Sequence, residues 1–170
     1  MTLKGLLFTI IIFTNLFFAH AQSSWKSPNY KYSVEIPYGF HKTKPIGQNV
    51  DFKAEKENSS ILVVVKTLSA EYAAFNIWEM LGDLSTYGSE WEMGAREYMN
   101  DPKFLKYGTT SIDGKDTFWY DYTAESPKMY SKTYQTLKGR NVITFTLTSP
   151  TGQYNLYSSI WFRFKENIHL

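Results

Sequence analysis

Asp113-Gly114 sits between two runs of alternating residues, in the stretch SIDGKDTFWYDYT over 111–123. A two-residue Asp-Gly connection places both central residues at positive φ, with a twist that suits a β-hairpin. It fixes which residues pair, because a slip of one residue turns every side chain to the other face. Ile112 pairs with Lys115, and the ladder continues through Thr110–Thr117, Thr109–Phe118, Gly108–Trp119, Tyr107–Tyr120, Lys106–Asp121 and Leu105–Tyr122. One face, with Leu105, Tyr107, Phe118, Tyr120 and Tyr122, is apolar and reads as core. The other sets Lys106 against Asp121 and lays Trp119 across Gly108. A ring over a cross-strand glycine stabilises a sheet, and an opposite-charge pair adds roughly 0.2–1 kcal/mol. Trp119, Lys106 and Asp121 are also the candidate ligand or partner surface, the indole serving as a stacking platform and the charges as polar contacts.

The same logic divides the rest of the chain. Ser126-Pro127 and Lys138-Gly139 are the next turns, giving strands over 103–112, 115–124, 128–137 and 141–148. Upstream, strands are expected over 30–36, 49–56 and 60–68, the first ended by Pro37 and Gly39. The unbroken aliphatic run Ile61–Val65 reads as a central strand covered on both faces. Ser69 reads as the N-cap of a helix whose apolar stripe is Tyr72, Phe75, Ile77, Trp78, Leu81 and Leu84, ending near Gly82 and Ser85. Ser89 and Glu92 form a capping-box pattern for a second helix, closed by Asp101-Pro102. Ser149-Pro150 opens a last helix with Tyr154, Tyr157, Ile160, Trp161 and Phe164 inward. Three strands, a helical stretch, four strands and a helix make an α+β fold: a central antiparallel sheet of six or seven strands flanked by helices.

The chain has no cysteine among its 170 residues, so thiol chemistry, cysteine metal ligands and disulfides are excluded. Lys4, the apolar stretch from Leu6 to Phe18 and the small residues Ala19 and Ala21 spell a signal peptide over 1–21, leaving one domain over 22–170. The expected product is exported, periplasmic or extracellular, with no stable membrane span after cleavage. A net charge of +2 and no basic run argue against nucleic acid as a partner. His41 and His169 do not share spacing with other ligand types, so no metal site and no cofactor are expected. No Gly-x-Ser-x-Gly elbow or glycine-rich phosphate loop occurs. Glu90 and Glu92 point apart on a helix. Glu71, Glu79 and Asp83 read as a solvated helix face, and Asp51, Glu55 and Glu57 do not spell a calcium loop. Enzymatic chemistry is not expected.

The segments YKYSVEIPYGF, NVDFKAE, SILVVVKTL, IDGKDTFWYDYT and SPTGQYNLYSSIWFRF together resemble the Mog/PsbP-like superfamily across 30–166. The resemblance implies an α/β/α sandwich around an antiparallel sheet and a binding or assembly role. Helices on both faces would bury Trp119 as well as Tyr120. No functional residue carries over. The expectation is a non-catalytic exported domain that binds an envelope protein or assists assembly. The alternatives are a carrier of a small apolar or glycan-like ligand and an unrecognised hydrolase. A carrier needs a cavity of ~300 Å³ or more lined by Tyr and Trp. A hydrolase needs convergent titratable groups in a cleft.

Overall fold

The structure is a computed structural model that describes residues 23–126, 128–153, 160 and 163–170. The expected signal peptide, Pro127 and the expected helix residues Tyr154, Tyr157 and Trp161 lie outside the described residues.

In chain order the elements are strands β1 (Ser23–Lys26), β2 (Ser33–Ile36), β3 (His41–Lys42), β4 (Val50–Lys56) and β5 (Ser59–Thr67), helices α1 (Ile77–Leu81) and α2 (Leu84–Ala95), then strands β6 (Lys103–Ile112), β7 (Lys115–Glu125), β8 (Lys128–Lys138), β9 (Asn141–Pro150) and β10 (Ile168–His169). Seven strands form one antiparallel sheet in the order β3-β4-β5-β9-β8-β7-β6, and β1-β2-β10 form a second. The fold is an α+β sandwich.

Asp113 and Gly114 take φ 47° and 72°, the double-positive turn that Asp-Gly favours. Pairing runs as the turn dictates from Ile112–Lys115 to Lys106–Asp121 and then shifts. A bulge leaves Leu105 out of the ladder and pairs Phe104 with Tyr122. The expected Leu105–Tyr122 pair is therefore replaced, and Leu105 is half-exposed rather than core. The shift delivers the larger ring inward: Phe104 stacks on Tyr120 at 5.4 Å between centroids and meets Trp91 at 5.7 Å. Glu92 Oε1 accepts the Phe104 N–H at 2.7 Å, so the bulged backbone is held by α2.

The seven-stranded sheet has two unlike faces. On one, Phe52, Ile61, Val63, Ile143, Phe145, Leu147 and Tyr134 are buried against Tyr32, Val34, Ile36, Phe164 and Ile168 of the second layer. On the other, α1 and α2 cover Phe118, Tyr120 and Tyr122 with Ile77, Trp78, Tyr87 and Trp91. Ile61–Val65 is central, as expected, between β4 and β9, but its two faces are covered unequally. Ile61, Val63 and Val65 are buried, but Leu62 and Val64 are only partly so. On this face the neighbouring β9 carries hydroxyls, which pair in turn with those of β8 as Thr148–Ser131 at 2.9 Å and Thr146–Thr133 at 3.1 Å.

The helical stretch also departs from expectation. Ser69 precedes only a 3-10 turn, Ala70–Tyr72, and its hydroxyl donates to Glu71 rather than capping. Asn76 is the true N-cap, in a reciprocal capping box with Glu79. Gly82 at φ 69° stops α1, and Asp83 caps α2 through the Ser85 N–H. Ser89 therefore lies inside α2, its hydroxyl bonded back to the Thr86 carbonyl. At the first strand, Lys31 turns at φ 54°, so β2 begins at Ser33 and joins the second sheet. Ser149 and Pro150 do not open a helix. They finish β9 opposite Tyr130 and Met129, and a 3-10 turn follows at Thr151–Gln153. Phe164 sits in a further 3-10 turn, Phe164–Asn167, which leads into β10.

Candidate functional site

β6, β7 and β8 lie side by side at one end of the sheet, and their pairing sets Lys106 beside Asp121 and Asp121 beside Lys132. Alternation puts all three side chains on the face opposite α1 and α2. Asp121 is buried, and its Oδ1 accepts from Lys132 Nζ at 3.0 Å. Its Oδ2 accepts from the Tyr130 hydroxyl at 2.5 Å and lies 3.3 Å from Lys106 Nζ. Lys132 Nζ stands 4.1 Å from the Trp119 ring centroid, a cation–π contact. Trp119 is partly buried and packs on the core shared with the second sheet. Its ring lies so close to Gly108 that a Cβ there would come within 2.8 Å of Cζ2.

The three residues singled out from the sequence thus meet in one cluster. Two further members, Tyr130 and Lys132, were missed. The signal was present: extending the ladder from the Ser126-Pro127 turn pairs Asp121 with Lys132. Two ammonium groups and a phenol converge on one carboxylate, and the carboxylate has no side open to water. Lys106 is the accessible member, with its side chain 60% exposed against 17% for Lys132. Further along the same face, Lys165 Nζ donates to Thr110 Oγ1 at 3.3 Å.

Burial raises the tyrosine hydroxyls around this region. Tyr134 is pushed up by desolvation and then by the negative charge of Asp121. Tyr120 and Tyr122, under α2, are raised by burial. Tyr87, also desolvated, is pushed up to about 12.

Gly108→Ala tests the contact between ring and glycine. The added methyl must displace the indole, because the nearest atoms belong to a rigid ring packed against core. The expected cost is about 1–3 kcal/mol in urea unfolding, with a shift in tryptophan emission. An unchanged midpoint and spectrum would show that the indole is not held against the strand.

Several other acidic groups are engaged by neighbouring side chains or backbone. Asp51 accepts from Ser27 Oγ at 2.7 Å and from the Tyr32 hydroxyl at 2.6 Å. Glu55 pairs with Lys53, which holds its carboxyl below the usual range, and Glu79 and Asp83 serve as helix caps. His169 Nε2 lies 3.2 Å from Glu35 Oε1. Among the described residues, no three His, Asp or Glu side chains gather as metal ligands. A cavity of about 310 Å³ is lined by Glu35, Pro37, Tyr38, Ile160, Arg163, Glu166 and Asn167. It meets the size expected of a carrier, but Tyr38 is its one aromatic among the described lining residues. No helix among the described residues is long and apolar enough to cross a membrane.

No protein-family profile matches the chain, and no curated protein matches it. Solved structures do. Cyanobacterial PsbP (CyanoP) from Synechocystis sp. PCC 6803 superposes with a TM-score of 0.68 at 14% identity, over 91% of this chain and 95% of that one. LpqN, described as involved in cell envelope biogenesis of Mycobacterium tuberculosis, superposes with a TM-score of 0.55 at 8% identity, over 89% of this chain and 86% of that one. At such identities the likeness is one of architecture, and the fold of this chain is PsbP-like.

Proposed function

We propose that this chain is a non-catalytic binding domain of the cell envelope, exported by residues 1–21, that presents its surface to a protein partner. The observation that carries the reading is the closure of the Asp121 cluster: Tyr130, Lys132 and Lys106 engage both carboxylate oxygens, so the one buried acid among the described residues has no substrate-facing side. A general acid or base must reach the proton it transfers. The PsbP-like fold supports the same reading, as does the involvement of LpqN in cell envelope biogenesis. Carriage of an apolar or glycan-like ligand is less well supported, because the 310 Å³ cavity is edged by Glu35, Arg163, Glu166 and Asn167.

The test is chemical cross-linking of the tagged chain in the envelope of its own host, followed by reconstitution with the purified cross-linked protein. A saturable complex of the two purified proteins, and a native mass equal to the bare chain, are the expected results. A retained small-molecule mass without any reconstituted complex would replace the binding domain with a carrier.

A further inference from the structure

We infer that the outer edge of β6 from Tyr107 to Ile112 is a docking site for an extended, acidic segment of a partner protein, which adds as an eighth strand to the sheet. The inference rests on the binding-domain reading above. β6 is the terminal strand of the seven-stranded sheet. A two-residue turn makes Ile112–Lys115 a hydrogen-bonded pair, and so are Thr110–Thr117, Gly108–Trp119 and Lys106–Asp121. The N–H and C=O groups of Tyr107, Thr109 and Ser111 therefore point away from β7. A long open edge invites strand addition, and proteins blunt such edges with bulges, lysines, prolines or short strands.

The two edges of this sheet are treated differently. At the far edge, β3 is two residues long and Lys44-Pro45 follow shortly after it. At the near edge the guards are confined to the start of β6. There the bulge at Leu105 breaks the ladder, Glu92 occupies the Phe104 N–H, and Lys103 and Lys106 add charge. Tyr107–Ile112 has no bulge, proline or charge, and its six residues offer about 20 Å of backbone.

The flanking side chains state what the added strand carries. On one face lie Lys106, whose side chain is 60% exposed, and Lys165, while Lys132 on β8 is held inward by Asp121. On the other lie the half-exposed Tyr107 and Thr109. Alternating acidic and apolar or hydroxyl residues match both faces, since opposite charges across strands attract. A second copy of the chain matches poorly. Antiparallel self-pairing about Gly108 sets Lys106 of one copy beside Thr110 of the other, where Lys165 already sits.

The experiment is amide NMR of the isotope-labelled protein titrated with a synthetic seven-residue peptide of alternating Glu and Val, and with the same peptide carrying Lys for Glu. The expected result is shift changes and slowed exchange at Tyr107, Thr109 and Ser111 with the Glu peptide, and at least tenfold weaker binding of the Lys peptide. Thr109→Pro removes an outward N–H without breaking the β7 ladder, so it stays folded by circular dichroism and loses the peptide. Equal binding of both peptides, unaltered binding by Thr109→Pro, responses away from β6, or no response overturns the inference. A dimer that Thr109→Pro dissolves would overturn it in favour of self-pairing. An envelope partner bound equally by parent and Thr109→Pro would overturn the edge site while leaving the binding-domain reading intact.

Discussion

Asp121→Ala is expected to lower the unfolding free energy by about 3–5 kcal/mol, a large part of the roughly 5–15 kcal/mol that holds a domain of this size. Asp121 is buried and receives the Tyr130 hydroxyl at 2.5 Å and Lys132 Nζ at 3.0 Å. Removing the carboxylate leaves a largely covered ammonium beside an indole and takes away the oxygen to which the Tyr130 hydroxyl donates. Lys106 moderates the loss, since its side chain is 60% exposed and returns to water at little cost. The pair itself is not worth that much, because desolvating both charges offsets most of their attraction. Asp121→Leu combined with Lys132→Met is therefore expected to recover most of the stability. Urea unfolding of the single and double variants checks this. A loss below about 1 kcal/mol for Asp121→Ala would show that the cluster holds little of the fold together.

Alkaline unfolding is the second large effect. Tyr32, Tyr87, Tyr120, Tyr122 and Tyr134 are all raised, in each case first by burial. In the unfolded chain each phenol ionises near its ordinary value of 10.0, whereas Tyr87 in the fold waits until about 12. Between those values the native state binds more protons than the unfolded state, so stability falls as pH rises. The contribution is fully present below about pH 10 and is lost above it, at about 1.4 kcal/mol per pH unit for each phenol. Tyr32, Tyr87, Tyr120 and Tyr134 acting together exceed the whole stability of the domain within about two units, and Tyr122 adds in the same direction. Far-ultraviolet dichroism and tyrosinate absorbance are expected to change in one cooperative step between about pH 11 and 12. Gradual ionisation of these five without loss of dichroism would mean that the rings are not sealed.

The meander was legible because its turns are chemically explicit. Asp113-Gly114 determines the pairs down to Lys106–Asp121, and those pairs place Trp119 over Gly108. The bulge at Leu105 was not legible, since it depends on Glu92 of a separate helix and on the pocket that receives the Phe104 ring. The helical stretch misled for a local reason. Ser69 with Glu71 and Ser89 with Glu92 mimic helix starts, while the decisive cap, Asn76 with Glu79, lies within an apolar stripe that looks continuous. The second sheet was hidden because its partners, β2 and β10, stand at opposite ends of the chain and β10 has two residues. Three of the five cluster residues, Trp119, Lys106 and Asp121, could be read from one hairpin, and Lys132 from the next. Tyr130 could not, since it reaches Asp121 diagonally rather than across the ladder.

We propose that the rings on this sheet bind its layers together rather than wait for a ligand. The free energy of unfolding of Trp119→Ala, measured on the bare protein, tests it most directly. If the indole is structural, wedged over Gly108 and under Lys132, the loss is about 3 kcal/mol. A change within about 0.5 kcal/mol, the range of an ordinary surface substitution, would mean that Trp119 serves something other than the fold.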